Sequence, residues 1–295
     1  MEKRSSSSAP TIGDLVHRGS LALAGVSSSA RLDSEVLLGY LLGYSRTQLI
    51  VNSTTPCASE VVAHFSALIE RRQRGEPVAY ITGEREFWGL SFAVSPAVLV
   101  PRPESELLIE EALTFVGKTQ TLRFIDLGVG SGCLSIALVV ELMRRRCDVR
   151  CVGVDISYEA LQVAQSNAKR HDVHKQITYA QGNWFQGVQE IKPPYDLIIA
   201  NPPYIDPEEQ VPLDLSFEPR GALFAEERGL RDVREILDQS SLRLRSGGLL
   251  LVEVGAGKRV SLKELLPNFE SHYEFSLLGD DSEEDRFTVV RGARR

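Results

Sequence analysis

The chain has 295 residues, of which 43% are hydrophobic and 25% charged, and its formal net charge is -7 at pH 7. This length exceeds the usual single domain, the ordinary composition excludes extended disorder, and the acidic balance argues against a protein that binds mainly by neutralising phosphates. No apolar stretch is long enough to span a membrane. The four cysteines lack the spacing of a disulfide framework or a metal site; they are Cys57, Cys133, Cys147 and Cys151. We therefore expect a cytoplasmic protein without a bound metal.

The chain begins with a predicted frayed tail and a predicted helical domain. The tail covers residues 1–10 and contains a run of serines from Ser5 to Ser8. Over residues 11–84 serine, threonine, proline and glycine concentrate at 25–29 and 52–56, which predicts breaks between helices. Helical spacing of apolar residues is clearest in two groups, Leu32, Val36, Leu37 and Leu41, and Val61, Val62, Phe65, Leu68 and Ile69.

Two short extended runs around Gly89 predict a β-hairpin, which links this domain to the rest of the chain over residues 85–103. From 104 to 295, amphipathic helical patterns alternate with short apolar runs, at residues 122–127, 149–154, 177–180, 197–200 and 249–254. The alternation predicts an α/β domain with a mostly parallel sheet covered by helices on both faces. Ligands of such sheets bind beyond the carboxyl ends of the strands, near the point where strand order reverses.

A glycine-rich loop follows the first of these strands and precedes a helix that opens at Cys133. It consists of Asp126, Leu127, Gly128, Val129, Gly130, Ser131 and Gly132. Glycines at every second position let the backbone approach a ligand closely, and the helix start supplies free N–H groups. Asp155 ends the next strand, where its carboxylate can accept both hydroxyls of an adenosine ribose. Together these residues predict a site for a nucleoside cofactor.

Two other interpretations of the loop stay open at this point. A nicotinamide dehydrogenase has the spacing GxGxxG, whereas this loop has GxGxG directly after an acidic residue, which suits a cofactor without a pyrophosphate. The loop could also be a tight structural turn, with Asp126 and Asp155 as helix-capping residues. Their joint placement on successive strands favours the cofactor site.

The strand at residues 195–200 delivers a second motif at its carboxyl end, Asn201-Pro202-Pro203-Tyr204. Two prolines stiffen the turn, so that the Asn201 side-chain oxygen and the Pro202 carbonyl can face one point. Those acceptors match the two hydrogens of a planar NH2 group, and the Tyr204 ring offers a platform for its plane. Because an amide nitrogen is a poor nucleophile and Asn201 is no base at neutral pH, catalysis would come mostly from orientation. The alternative is a rigid proline turn without a catalytic role.

With these motifs in place, the chain resembles the HemK/PrmC-type release factor glutamine methyltransferases over nearly its whole length after the serine-rich tail. The linker carries most of the discrimination, since few methyltransferases join the two loops to a helical N-terminal domain through a hairpin and an RPxxE segment. The matching segments beyond the two loops are RQRGEPVAYITG at 72–83, FWG at 87–89, VPRPESE at 100–106, GNWF at 182–185 and FEP at 217–219.

The resemblance implies a class I S-adenosylmethionine-dependent methyltransferase with a Rossmann-like seven-stranded sheet, whose antiparallel last strand would cover residues 286–290. It implies transfer of a methyl group from S-adenosyl-L-methionine, with S-adenosyl-L-homocysteine as product, to the side-chain amide nitrogen of glutamine in the Gly-Gly-Gln motif of class 1 peptide chain release factors. The N-terminal helical domain would help to recognise the body of the factor.

The resemblance also implies roles for individual residues. The cofactor would contact Asp126, Leu127, Gly128, Val129, Gly130, Asp155, Trp184 and Asn201, with Trp184 beside the adenine. The substrate glutamine would contact Asn201, Pro202, Pro203 and Tyr204, of which Asn201, Pro202 and Tyr204 would be catalytic.

Val129 and the pair Ala225-Glu226 depart from the family pattern, which has a small polar residue and a glycine-rich pair there. Arg102 and Glu106 match the family linker, where a salt bridge between domains is an alternative role, and the acidic run from Asp280 to Asp285 predicts a solvated loop.

Two further functions are weighed against this one. A DNA or RNA methyltransferase acting on the exocyclic amine of adenine (N6) or guanine (N2) uses the same Asn-Pro-Pro-aromatic geometry, but the acidic balance and the lack of an evident basic domain favour a protein substrate. A binding module without turnover would not need Asn201, Tyr204 and Asp155 intact. We therefore expect a monomeric enzyme that needs no direct contact with nucleic acid.

Overall fold

The structure is a computed structural model that describes residues 9–188, 194–279 and 287–295. The serine run of the predicted tail and the acidic run from Asp280 to Asp285 lie outside the described residues. The chain divides into two compact units. The first takes the chain up to Gly83 together with Pro212–Phe217, and the second takes Glu84–Val211 and Glu218–Arg295.

The first unit is helical, which confirms the prediction from the apolar spacing. Its helices are α1 (Ile12–Leu23), α2 (Ala30–Leu42), α3 (Arg46–Val51), α4 (Ser59–Gln73) and α5 (Val78–Thr82). α1 and α3 begin in capping boxes, in which Thr11 pairs with Asp14 and Ser45 pairs with Gln48. The helices enclose a core made of Ile12, Leu15, Leu23, Leu37, Leu38, Leu49, Cys57, Phe65, Ile69 and Ile81.

A buried ion pair joins α2 to α4. The Arg72 guanidinium donates to the Asp33 carboxylate across 2.8 Å, and Ser29 donates to the other carboxylate oxygen across 2.9 Å. Removing one partner of a buried pair leaves an uncompensated charge, at a cost on the order of 3–5 kcal/mol. The pair therefore constrains which faces of the two helices can meet.

The second unit is built on a seven-stranded sheet whose order is β5-β4-β3-β6-β7-β9-β8. β9 runs antiparallel to both of its neighbours, β7 and β8, so the predicted antiparallel last strand is confirmed; its described part begins at Phe287. A separate hairpin consists of β1 (Glu84–Phe87) and β2 (Leu90–Ala93). The sheet strands are β3 (Thr121–Leu127), β4 (Asp148–Asp155), β5 (Ile177–Gln181), β6 (Tyr195–Ala200), β7 (Leu244–Gly255), β8 (Tyr273–Gly279) and β9 (Phe287–Arg294).

Helices cover both faces of this sheet, as predicted. Because successive side chains of a strand point to opposite faces, Phe124 packs into one core and Ile125 into the other. The helices are α6 (Glu106–Val116), α7 (Cys133–Arg144), α8 (Tyr158–Arg170), α9 (Arg220–Leu223), α10 (Glu226–Gly229), α11 (Arg231–Ser240) and α12 (Arg259–Leu265). Within the described ranges, no helix has both the length and the apolarity needed to cross a bilayer.

The hairpin is tied to the sheet domain by Asn167 of α8. This side chain is fully buried. Its Nδ2 donates to the carbonyls of Ala93 and Ser131, each across 2.9 Å, and its Oδ1 accepts from the Ala93 N–H across 2.8 Å. One amide thus joins the end of β2, helix α8 and the glycine-rich loop.

Replacing Asn167 should destabilise the fold without changing the surface. Asn167→Ala leaves the Ser131 carbonyl unpaired in a buried position and the backbone groups of Ala93 unpaired in a partly buried one, and each buried unsatisfied group costs about 1–3 kcal/mol. We expect a loss of this size in the free energy of unfolding, measured by urea denaturation. Gln165→Ala, an exposed change on the same helix, is the matched control and should unfold like the wild type. An Asn167→Ala transition that coincides with the control would show that these bonds contribute nothing.

Candidate active site

The candidate site lies where strand order reverses in the sheet. β3 is flanked by β4 on one side and by β6 on the other, so the carboxyl ends of these three strands meet at one edge. A cavity of about 580 Å³ opens there, within the range of about 300–1,000 Å³ usual for small-molecule sites. Of the predicted site residues, those that line the cavity are Gly128, Val129, Gly130, Asp155, Trp184, Asn201 and Pro203.

Other predicted residues lie behind the cavity wall. Asp126 and Leu127 are buried at the end of β3, beneath the loop, and Pro202 is buried in the turn after β6. The Tyr204 side chain is half-buried and packs toward the core that contains α11 and α12. Contacts of these residues with a bound molecule stay predictions.

The glycine-rich loop has a backbone that only glycine adopts readily. Gly128 has φ 76° and Gly130 has φ 52°, both in the left-handed region. The N–H groups of Gly128 and Val129 donate to the Val154 carbonyl across 2.9 Å, which holds the loop on the end of β4. A Cβ at Gly128 would lie 3.5 Å from the Trp184 ring. The loop therefore brings bare backbone to the cavity wall beside an aromatic ring.

Asp155 keeps acceptor capacity toward the cavity. Its Oδ2 accepts from the Gly130 N–H and its Oδ1 accepts from the Ser157 N–H, each across 2.9 Å. Burial raises the pKa of Asp155 and these backbone hydrogen bonds oppose the rise. Each carboxylate oxygen has further lone pairs, so the side chain can also take two ligand hydroxyls. This arrangement fits the vicinal diol of a ribose.

Asp126 is a buried carboxylate with one unused oxygen. Its Oδ2 accepts from the Ser135 N–H across 3.1 Å, whereas its Oδ1 is buried and has no partner among the described residues. Burial raises the pKa of Asp126 to about 7, with the Ser135 hydrogen bonds opposing the rise. This oxygen lies behind the cavity wall, so a contact of Asp126 with a bound cofactor stays a prediction.

The Asn201 amide is held from one side only. Its Nδ2 donates to Glu253 Oε1 across 3.0 Å and to Ser105 Oγ across 3.1 Å. Its Oδ1 is buried and has no hydrogen-bond partner in the described part of the chain. The donors of this amide are thus used within the protein, while its acceptor is left for a molecule in the cavity that Asn201 lines.

Tyr204 is placed by the end of β7. Its backbone N–H donates to the Leu223 carbonyl across 3.2 Å, and its ring lies directly over Gly255. A Cβ at Gly255 would come within 2.1 Å of the ring, so only glycine leaves room for it. Burial raises the pKa of Tyr204 to about 12, which keeps the hydroxyl protonated at neutral pH.

The sequence analysis missed the residues that support these side chains. Ser105 and Glu253 bind the Asn201 amide, and Asp232 accepts from Trp184 Nε1 across 3.2 Å. One signal was present: a lone acidic residue within the apolar strand run that ends at Val254 must have a polar partner, since an unpaired buried charge is costly.

The linker arginine also has a partner that the sequence analysis did not identify. Arg102 pairs with Glu218, and the other oxygen of Glu218 accepts from the Val100 N–H across 2.9 Å. All three residues belong to the second unit. Glu106 accepts from the backbone N–H of Trp88 across 2.9 Å. Both acidic groups therefore anchor backbone within the linker.

Comparisons with known proteins identify close relatives of this chain. Family models match the chain for the PrmC N-terminal domain over residues 14–83 and for the methyltransferase small domain over residues 103–215. The release factor glutamine methyltransferase of Haemophilus influenzae is 35% identical, and the match covers 91% of this chain and 94% of the relative. The release factor glutamine methyltransferase of Escherichia coli K12 is 38% identical, with 90% and 93% covered.

Solved structures at lower identity share the fold. The catalytic domain of hMettl16, crystallised with the MAT2A 3'UTR hairpin 6, superposes with a TM-score of 0.57 at 19% identity. The match covers 75% of this chain and 83% of that one. A superposition at this low identity shows that the fold is shared and carries no information about the substrate.

Asp126 should make the stability of the fold depend on pH. Its pKa in the folded state is about 7, whereas an unfolded-chain aspartate titrates near about 3.9. Between these values the folded state holds more protons than the unfolded state, so the free energy of unfolding falls as pH rises from about 4 to about 7. We expect Asp126→Asn to show a shallower fall, measured by urea denaturation across this range without ligand. A slope equal to that of the wild type would contradict the assigned burial effect.

Proposed function

Because the chain belongs to the release factor glutamine methyltransferase family, we propose that it transfers a methyl group from S-adenosyl-L-methionine to the side-chain amide nitrogen of the glutamine in the Gly-Gly-Gln motif of class 1 peptide chain release factors. The observation that carries the proposal is the Oδ1 of Asn201, which has no hydrogen-bond partner in the described part of the chain and belongs to a residue that lines the cavity. A substrate NH2 group is the kind of donor that this buried acceptor lacks.

When bound, S-adenosyl-L-methionine supplies an electrophilic methyl group carried on a sulfonium. Asp155 would accept the ribose hydroxyls, the Gly128 and Gly130 backbone would lie along the cofactor, and Trp184 would lie beside the adenine. Asp126, Leu127 and Val129 would shape this part of the pocket. Support comes from the free acceptor positions of Asp155 and from the bare backbone of the loop.

The chain's own contribution to the reaction would be orientation of the nucleophile. The Asn201 oxygen and the Pro202 carbonyl would accept the two hydrogens of the glutamine NH2, with Pro203 and Tyr204 shaping the turn that holds them. Two acceptors fix the plane of the amide and draw electron density toward its nitrogen. Because Asn201 is not a base, the proton would leave after the methyl group has been transferred.

The remaining assignments follow from this function. We propose that residues 11–84 help to recognise the body of the release factor, that residues 85–103 link the domains, and that residues 104–295 carry out catalysis. The enzyme would act in the cytoplasm as a monomer without direct contact with nucleic acid. The net charge of -7 supports a protein substrate over a nucleic acid.

Asn201→Ala should abolish most of the methyl transfer. The change removes the acceptor for the substrate NH2, at a cost of about 1–3 kcal/mol in substrate binding, and turnover should fall further because orientation is lost. The measurement is mass spectrometry of the Gly-Gly-Gln peptide after incubation of a class 1 release factor with enzyme and cofactor, where the wild type adds one methyl group. Asn268→Ala, the same chemical change at an exposed position, should keep wild-type activity. Methyl label that appears only in nucleic acid would reject the proposed substrate.

Asp155→Ala should weaken cofactor binding. Hydrogen bonds to a charged acceptor contribute about 1.5–3 kcal/mol each, so loss of the carboxylate should raise the Kd at least about tenfold. Titration calorimetry with S-adenosyl-L-methionine measures this directly. Asp148→Ala is the matched control, because Asp148 is an exposed residue at the opposite end of the same strand. Equal Kd values for the two variants would rule out the assigned contact.

A further inference from the structure

We propose that Glu253 is a positioning residue for methyl transfer, whose carboxylate holds the Asn201 amide in the one orientation that turns its oxygen toward the substrate. The inference rests on the proposed function, since it concerns the acceptor that the glutamine NH2 would use. It assigns a role to the carboxyl end of β7, outside the glycine-rich loop and the Asn201-Pro202-Pro203-Tyr204 motif.

Glu253 reaches Asn201 from the neighbouring strand. β6 and β7 pair in parallel with Ala200 opposite Val252, so the next residues along the two strands, Asn201 and Glu253, lie side by side. The Glu253 side chain is 1% exposed, and its Oε1 accepts from Asn201 Nδ2 across 3.0 Å. At this depth solvent does not replace the partner, so the hydrogen bond acts at close to full strength.

An asparagine amide can turn by 180° about its last side-chain bond, which exchanges the oxygen with the nitrogen. An ionised carboxylate is an acceptor only. If Asn201 turned, its Oδ1 would face Glu253 Oε1 with no proton between the two oxygens. Its Nδ2 would then face the cavity, where its hydrogens would point at the hydrogens of a substrate NH2 and no hydrogen bond could form. Glu253 therefore favours the orientation that the reaction needs.

The second partner of the amide does not impose this choice. Ser105 Oγ accepts from Asn201 Nδ2 across 3.1 Å, but a hydroxyl can also donate and would serve a turned amide. Several groups surround the Glu253 carboxylate: burial raises its pKa to about 7, Glu104 adds to the rise, and Ser105, Asn201 and Arg102 oppose it. Above that pH the carboxylate is ionised and can only accept.

The first test replaces the carboxylate with a group of the same shape. Glu253→Gln can face Asn201 with either a donor or an acceptor, so the amide is no longer held in one orientation. At pH 8 we expect kcat for a class 1 release factor to fall about 10–100-fold, with KM for the factor and Kd for the cofactor within about threefold of wild type. Ser105→Ala removes one contact of Asn201 but keeps the Glu253 carboxylate, which still favours one orientation of the amide, so its kcat should fall only about threefold.

The second test reverses donor and acceptor between the two positions. Asn201→Asp alone places a carboxylate against the Glu253 carboxylate. In the double variant Asn201→Asp with Glu253→Gln, the new amide can donate to one oxygen of the carboxylate and leave the other facing the cavity. We expect kcat of the double variant to exceed that of Asn201→Asp about tenfold, so that the two losses are not additive.

The outcomes separate this inference from the function on which it rests. Wild-type kcat in Glu253→Gln, or additive losses in the double variant, would overturn the positioning role. Equal losses in Ser105→Ala and Glu253→Gln would do the same, because the number of contacts would then matter and their polarity would not. A wild-type enzyme that leaves the release factor unmethylated would instead overturn the proposed function. Calorimetry with the cofactor checks that each variant keeps a folded site.

Discussion

The hydrogen bond between Asn201 and Glu253 determines what the carboxyl end of β6 can offer to a substrate. The two residues are 52 positions apart in the chain and meet because β6 and β7 are parallel neighbours. Since Glu253 and Ser105 accept from the amide nitrogen, the amide oxygen of this cavity-lining residue is left without a partner among the described residues. The order of strands in the sheet thus sets the polarity of the site, in addition to its position.

The buried charges of the protein fall into two groups that differ in their partners. Asp33 pairs with Arg72 and Glu218 pairs with Arg102, so these carboxylates are compensated and hold elements together. Asp126 and Glu253 accept only from backbone or neutral side chains, and burial raises the pKa of each to about 7. Uncompensated carboxylates oppose folding at neutral pH, and their confinement to one edge of the sheet fits a site that needs acceptors.

The sequence predicts those parts of the site that follow from local pattern. Strand ends are visible in the chain, so the glycine-rich loop, Asp155 and the turn at Asn201 could be placed at one edge before any strand order was known. Glu253 could not be placed, because nothing in its own segment shows that β7 lies beside β6. The assignment of Pro212–Phe217 to the first unit was equally out of reach, since it depends on contacts far apart in the chain. The orientation of the Tyr204 ring over Gly255 could not be predicted either, because it too depends on a contact between distant parts of the chain.

The function of β7 changes along its length, although from Leu249 to Val252 the strand pairs with β6 in one unbroken register. Leu249 and Leu251 point into the core beneath α6 and α7, and Glu253 and Gly255 continue the same alternation to the strand end. Glu253 fixes the polarity of Asn201, and Gly255 leaves the space that the Tyr204 ring occupies. One strand therefore controls both ends of the Asn201-Pro202-Pro203-Tyr204 turn. The two prolines restrict the turn itself. Its direction depends on the Glu253 carboxylate and on the absence of a side chain at Gly255, and both residues lie outside the turn.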